Sequence, residues 1–272
     1  MTTPVIAVIG TGNMGSSLIG GLIDDGHPRG KIWAADPSKD KLAYLQKTFQ
    51  IHTTEDNDMA VKAADAVILA IKPEIMPTVT QHLQAAIQSH GPLIISIAAG
   101  TREKSLQHWL GGRVPIVRAM PNTPALIKCG ATALFANQYV TPKQRNLAES
   151  ILRAVGVVVW LDKESQLDTV TALSGSGPAY FFFMMEALQQ SAEELGLPQD
   201  IARLLTLQTA LGAARMAIES GLPLKALRQR VTSKGGTTEQ GIAVLTQNDF
   251  TELFRKTLKA AKLRAEELAK DA

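Results

Sequence analysis

Val5–Gly15 reads VIAVIGTGNMG, and the fold turns on this stretch. VIAVI is an apolar, largely β-branched run, three glycines follow it at once, and NMGSSLIGGLIDD continues with helical periodicity. A strand that turns through Gly-x-Gly-x-x-Gly straight into a helix is the geometry that receives a pyrophosphate. Gly10 permits the tight turn, Gly12 lets backbone approach the phosphates, and Gly15 lets helix and sheet pack closely. Thr11, Asn13 and Met14, which fill the gaps of the motif, are read with them as coenzyme-binding, the phosphates resting on helix N–H groups. Asp36 closes the next apolar run, 21 residues after Gly15, where an acidic partner for a ribose is expected. Glycines alone would make only a tight turn; the flanking strand and helix make this a dinucleotide cradle.

Working outward, further runs of strand character follow as KIWAAD, DAVILAI, PLIISIA, VPIVRAM, ATALFA and VGVVVWL. Several are apolar throughout, as expected of strands covered on both faces, and helix-length segments at 13–25, 38–49 and 74–88 lie between them. This alternation predicts a doubly wound, mostly parallel sheet. Ligands on such sheets sit beyond the carboxyl ends of the strands, so Ser38, Asn57, Ala70, Ile71, Lys72, Pro73, Ala98 and Asn122 are expected to line the coenzyme cleft. The Asp36 carboxylate favours a free ribose 2′-hydroxyl and hence NADH. Against that, Ser38, Lys39 and Lys41 could hold a 2′-phosphate if Asp36 turned away, so NADPH or NADH both stay open.

Past Asp162 the strand signals stop. Segments 165–195, 199–220, 224–231, 238–246 and 250–270 read as helices, which divides the chain into an α/β domain over 1–162 and an all-α domain over 163–272. The run AYFFFMM, from Ala179, is apolar almost all round, and so few helical residues covering so much apolar surface points to a subunit interface. Ser176 followed by Pro178 is expected to cap a helix there.

Composition removes other classes. A net charge of +3 with scattered basic residues gives no footprint for nucleic acid or an anionic membrane. The longest lipid-like run is far short of a span, and the start lacks the basic region of a signal peptide, so a cytoplasmic protein is expected. Cys129 is the sole cysteine, which fits a reducing compartment. All five histidines precede residue 110, so the second half has no zinc ligand set and no histidine base; no metal site is expected. Ser174-Gly-Ser-Gly lacks the first glycine of a nucleophile elbow, and no phosphate-binding loop of the Gly-Lys-Ser/Thr type occurs.

VTSKGGTTEQG, residues 231–241, interrupts the helical half. Gly235 and Gly236 can take backbone conformations closed to other residues, and Thr237 or Thr238 with Glu239 behind reads as an N-cap and first turn. The product is a crown of N–H groups and hydroxyls, Ser233 included, suited to a carboxylate. A plain turn would explain the glycines but not the three hydroxyls.

Together GTGNMG, AIKP ending at Pro73, SIAAG, RAMPNTPAL, LSGSGPAY and VTSKGGTTEQG resemble the Δ1-pyrroline-5-carboxylate reductase family, in the family's order from residue 5 to 245. Lys234 departs from the proline often found there. The resemblance implies a Rossmann-type domain binding NADPH or NADH, followed by an all-α dimerisation domain forming an intertwined dimer, often assembled further into a ring of five dimers, a decamer. It implies reduction of the cyclic imine 1-pyrroline-5-carboxylate to L-proline, the final step of proline biosynthesis. Substrate would lie between the nicotinamide and helices of the dimer. Carried over, Gly235, Gly236, Thr237 and Thr238 with Ser233 would hold the carboxylate, Thr238 would reach the ring nitrogen as the catalytic group, and Glu164 would be an acidic pocket residue. The β-hydroxyacid dehydrogenases share GTGNMG but need a lysine base where this chain has SGSGPAYFFFMME. A dinucleotide sensor without catalysis would have no use for the helix start at 237.

Overall fold

A computed structural model describes residues 3–271. Eight strands form one sheet: β1 (Ile6–Ile9), β2 (Ile32–Ala35), β3 (His52–Thr54), β4 (Ala66–Leu69), β5 (Leu93–Ser96), β6 (Ile116–Met120), β7 (Gly130–Ala136) and β8 (Gly156–Trp160). Their order is β3-β2-β1-β4-β5-β6-β7-β8, parallel throughout except where β7 runs antiparallel to β6. The expected doubly wound, mostly parallel sheet is therefore present. Its central strands are sealed on both faces because their residues are apolar on both. Val8, Leu18, Ile19 and Leu134 belong to one buried cluster, and Ala7, Leu83, Ile94 and Leu106 to the other. Each such large side chain removed from water contributes about 1.5–3 kcal/mol.

The helices are α1 (Asn13–Asp24), α2 (Lys39–Phe49), α3 (Asn57–Ala63), α4 (Met76–His90), α5 (Glu103–Trp109), α6 (Pro142–Arg153) and α7 (Gln166–Val170), then α8 (Gly177–Glu194), α9 (Gln199–Ser220), α10 (Leu224–Arg230), α11 (Thr237–Gln247) and α12 (Phe250–Asp271). Local chemistry fixes several ends. Ser38 Oγ accepts from Lys41 N–H at the start of α2, Asp56 Oδ1 accepts from the Asp58 and Met59 N–H groups at α3, and Thr141 with Gln144 forms a reciprocal capping box at α6.

Ser176 does not cap a helix. It is itself in helical conformation, and its N–H bonds back five residues to Thr171 O at 2.8 Å, closing a π-turn over Thr171–Gly175 that joins α7 to α8. An N-cap needs extended backbone, which the continuing helix denies Ser176. Among the described residues no strand follows β8, and no helix is long and apolar enough to cross a membrane.

By contacts the chain forms two compact units, one running through Ser176 and resuming at Ala260, the other spanning Gly177–Lys259. In the second, α8 packs on α9, yet Phe181, Phe182, Phe183, Leu204, Leu205 and Ile218 remain exposed on the single chain.

Candidate functional site

The register Ile9↔Ala35 and Ile9↔Leu69 ends β1, β2 and β4 on a common edge, so Gly10, Asp36 and Ala70 emerge side by side. This is the carboxyl edge where the strand order reverses, the usual place for a ligand. Gly10 has φ +92°, and a Cβ there would stand 2.6 Å from Ala70 O. A Cβ on Gly15 would run into Gly10 O, so this close packing of turn on helix needs both glycines. Gly12, the extended N-cap of α1, differs: a Cβ there would meet nothing within 4 Å. It faces open space above the helix start, where the N–H groups of Asn13, Met14 and Gly15 have no preceding turn to bond. A glycine bordering empty space beside three such donors fits a pyrophosphate.

Asp36 is 5% exposed, and its carboxylate is committed to the protein. Oδ2 accepts from the Thr11 N–H and the Thr11 hydroxyl, both at 2.8 Å, and Oδ1 accepts from the Ser38 N–H at 3.0 Å. Lys41 Nζ lies 3.4 Å from Oδ2. Burial pushes the carboxyl's pKa up, but the three hydrogen bonds and the Lys41 charge outweigh it, and the net value is lowered. The partners of the carboxylate are thus all groups of the protein itself. Lys39 reaches out to Glu55 at 3.6 Å across exposed surface.

The other expected coenzyme residues divide. Ala70, Ile71, Lys72 and Pro73 follow β4, with Lys72 exposed and Pro73 opening a short 3-10 turn; Ala98 follows β5 and is buried. Asn57 is the first residue of α3 and half-buried. Asn122 spends its amide on the protein. Its Nδ2 donates to Ser174 O at 3.0 Å and its Oδ1 accepts from Ala131 N–H at 2.8 Å, bracing the π-turn against β7.

Glu164 is likewise tied down. Its Oε1 accepts from Arg118 Nη1 at 2.8 Å and from the Glu103 N–H at 2.6 Å. Arg102 pairs with buried Asp168 at 2.8 Å. Arg118 is 4% exposed with its Nε unpartnered; burial lowers its pKa while Glu164 opposes that shift. Sequence reading missed this paired cluster, because nothing in the spacing of residues 102, 118, 164 and 168 indicates that they meet.

At the second glycine-rich stretch, Gly236 is the N-cap of α11, with extended backbone and no side-chain cap. Thr237 and Thr238 therefore occupy the first two helical positions instead of the N-cap, because the Gly235 turn, at φ +73°, brings the chain into the helix one residue earlier. The Gly236 N–H is taken by Ser233 O at 3.0 Å, and the Gly235 N–H by Glu239 Oε2 at 2.7 Å. The N–H groups of Thr237, Thr238 and Glu239 have no preceding turn to bond, and both threonines are exposed. These donors and the Ser233, Thr237 and Thr238 hydroxyls make an anion-receptive helix start on an eleven-residue helix.

A family model described as pyrroline-5-carboxylate reductase dimerisation matches residues 164–268, and one described as NADP oxidoreductase, coenzyme F420-dependent, matches residues 5–100. The chain is similar to a pyrroline-5-carboxylate reductase of Pseudomonas aeruginosa, at 49% identity over 99% of this chain and 98% of that protein. It is similar to the structure of a pyrroline-5-carboxylate reductase from Coxiella burnetii, with TM-score 0.95, 48% identity and coverage of 98% and 99% of the two chains. A Plasmodium falciparum pyrroline carboxylate reductase with NADP bound aligns with TM-score 0.87 and 27% identity over 99% of each chain.

Proposed function

This chain belongs to the pyrroline-5-carboxylate reductase family, and from that premise we infer how its residues divide the work. It is an oxidoreductase that reduces the cyclic imine 1-pyrroline-5-carboxylate to L-proline with NADPH or NADH. When bound, the reduced nicotinamide supplies the hydride. What the protein must add is orientation and charge placement, because a pyrrolinium ion brings its own proton on nitrogen and needs no histidine base.

The α/β part, over 1–162, holds the coenzyme at Gly10–Gly15 and along the loops after β2, β4 and β5. The helical part, over 163–272, holds the substrate and pairs with a second copy. At the start of α11 the N–H groups of Thr237 and Thr238 grip the substrate carboxylate, with Ser233 and the Gly235–Gly236 turn shaping the seat. The Thr238 hydroxyl aligns the ring nitrogen. Glu164 serves from behind, through Arg118. The observation that carries this reading is the open helix start at 237–239 on a chain whose other glycine-rich turn is built for a pyrophosphate.

The intertwined dimer, its assembly into a ring of five dimers and a cytoplasmic location are part of the same proposal. The test is direct: purified protein is mixed with each reduced coenzyme and 1-pyrroline-5-carboxylate, and the absorbance of the reduced nicotinamide is followed. Its loss with formation of proline is expected. Coenzyme binding without turnover would instead leave a dinucleotide sensor.

A further inference from the structure

The Thr11–Asp36 contact carries a consequence for coenzyme choice. A carboxylate at the end of β2 normally offers an acceptor to the ribose 2′-hydroxyl of NADH and repels the 2′-phosphate of NADPH. Here the Thr11 side chain donates to Asp36 Oδ2 at 2.8 Å, taking for the protein the bond a ribose hydroxyl would otherwise make. The Thr11 N–H takes a second acceptor site on the same oxygen, and the Ser38 N–H takes one on Oδ1. Buried, with three donors and Lys41 Nζ at 3.4 Å, the carboxylate is held in place and its charge partly balanced. Around it stand groups able to receive a phosphate: the Ser38 hydroxyl, which is only weakly engaged at 3.5 Å by the Lys41 N–H, and the ammonium groups of Lys39, paired loosely with Glu55 at 3.6 Å across exposed surface, and of half-exposed Lys41, whose pairing with Asp36 leaves it two further donors.

We propose that Thr11 is the specificity-determining residue for the coenzyme: its hydroxyl locks Asp36 away from the ribose and thereby lets this chain accept NADPH. This rests on the glycine-rich turn being the coenzyme site. Thr11 is suited to the part because it is buried, and because its β-branched side chain has few rotamers in which the hydroxyl could leave Asp36. Neither Gly nor Ala at this position could make the bond.

The experiment measures binding of NADPH and of NADH separately, by nicotinamide fluorescence, to the full chain without substrate. Thr11→Val keeps the shape and removes the donor. It should shift the affinity ratio toward NADH by roughly tenfold, the size expected for losing one hydrogen bond to a charged group. Thr11→Ser, which restores the donor, should return the ratio to that of the parent. Thr11→Ala provides a second donor-free variant should valine not fold, and melting temperatures identify which variants are folded. An unchanged ratio in the folded donor-free variants overturns the proposal while leaving the coenzyme site intact. Failure of the parent chain to bind either coenzyme would overturn the reading of the site itself.

Discussion

At the scale of single residues, two side chains carry separable consequences. Thr238 is an exposed residue at the second position of α11, and the proposed seat gives its N–H to the acid group and its hydroxyl to the ring nitrogen. Replacing it with alanine leaves the N–H and removes the hydroxyl together with the γ-methyl, so kcat should fall by about tenfold or more, as for loss of one hydrogen bond to a charged group, while coenzyme affinity stays put. Steady-state kinetics beside coenzyme titration decides it, and equal turnover in variant and parent removes the hydroxyl from the reaction. Asp36 gives a second outcome, read from stability. Its folded pKa is lowered by Thr11, Ser38 and Lys41, so it stabilises the fold above the ordinary carboxylate range, and that contribution is lost as pH falls through the lowered value. Asp36→Asn should therefore cost stability near neutral pH, and the gap from the parent should close in acid, where the parent's own Asp36 becomes protonated. Denaturant melts across pH would show this; a pH-independent gap would mean that charge is not what Asp36 contributes.

At the scale of elements, the turn ahead of α11 is set by backbone that only glycine takes easily. Gly235→Ala must adopt φ +73° with a Cβ, at a cost of about 1–2 kcal/mol, and in Gly236→Ala the new Cβ would lie 2.5 Å from Ser233 Oγ. Both changes should weaken binding of proline and raise the KM for the imine while sparing coenzyme affinity; calorimetric titration with proline in which neither loses affinity would place the carboxylate elsewhere. How legible such elements are depends on what fixes them. The β1–α1 turn was readable because Gly10 and Gly15 answer to local geometry, and the run of parallel strands because each is apolar on both faces. β3 was not: His52–Thr54 is short and polar, a strand only through pairing with β2, where His52 stacks on Trp33 at 4.7 Å. α3 and α5 have seven residues each, too few for a sustained period, whereas α6 carries an apolar stripe of Ala148, Ile151 and Leu152 and a Thr141–Gln144 capping box that were legible but not among the segments read as helices. The π-turn at Thr171–Gly175 has no sequence signature, since one extra residue in a helix changes no residue type; the misassigned cap at Ser176 follows from it. Likewise the direction of the Asp36 carboxylate depends on Thr11, 25 positions away and in contact only once the sheet has formed.

At the scale of the whole molecule, the exposed apolar side chains of the second unit require a cover. Phe181, Phe182 and Phe183 on α8 and Leu204, Leu205 and Ile218 on α9 all face solvent in the single chain, Phe183 at 71%. Scattered apolar residues on a surface need no explanation, but so many large ones exposed on two helices that pack together mark an interface. It lies within the residues, 164–268, that match a dimerisation domain, and the homo-oligomer supplies the cover. A like surface on each copy pairs about a two-fold axis, which buries both sets at once and leaves no open end to propagate. Phe183→Glu places a carboxylate where a second copy must pack, and a buried unpaired charge costs several kcal/mol, which should shift the equilibrium toward the single chain. Light scattering on the variant should report a particle near the single-chain mass of 29.2 kDa, against two chains or ten for the parent. The substitution lies outside the coenzyme loop, so NADPH affinity should persist in the dissociated form. A variant that keeps the parent's mass would show that α8 is not the face that joins the copies, and the exposed phenylalanines would then need a different partner.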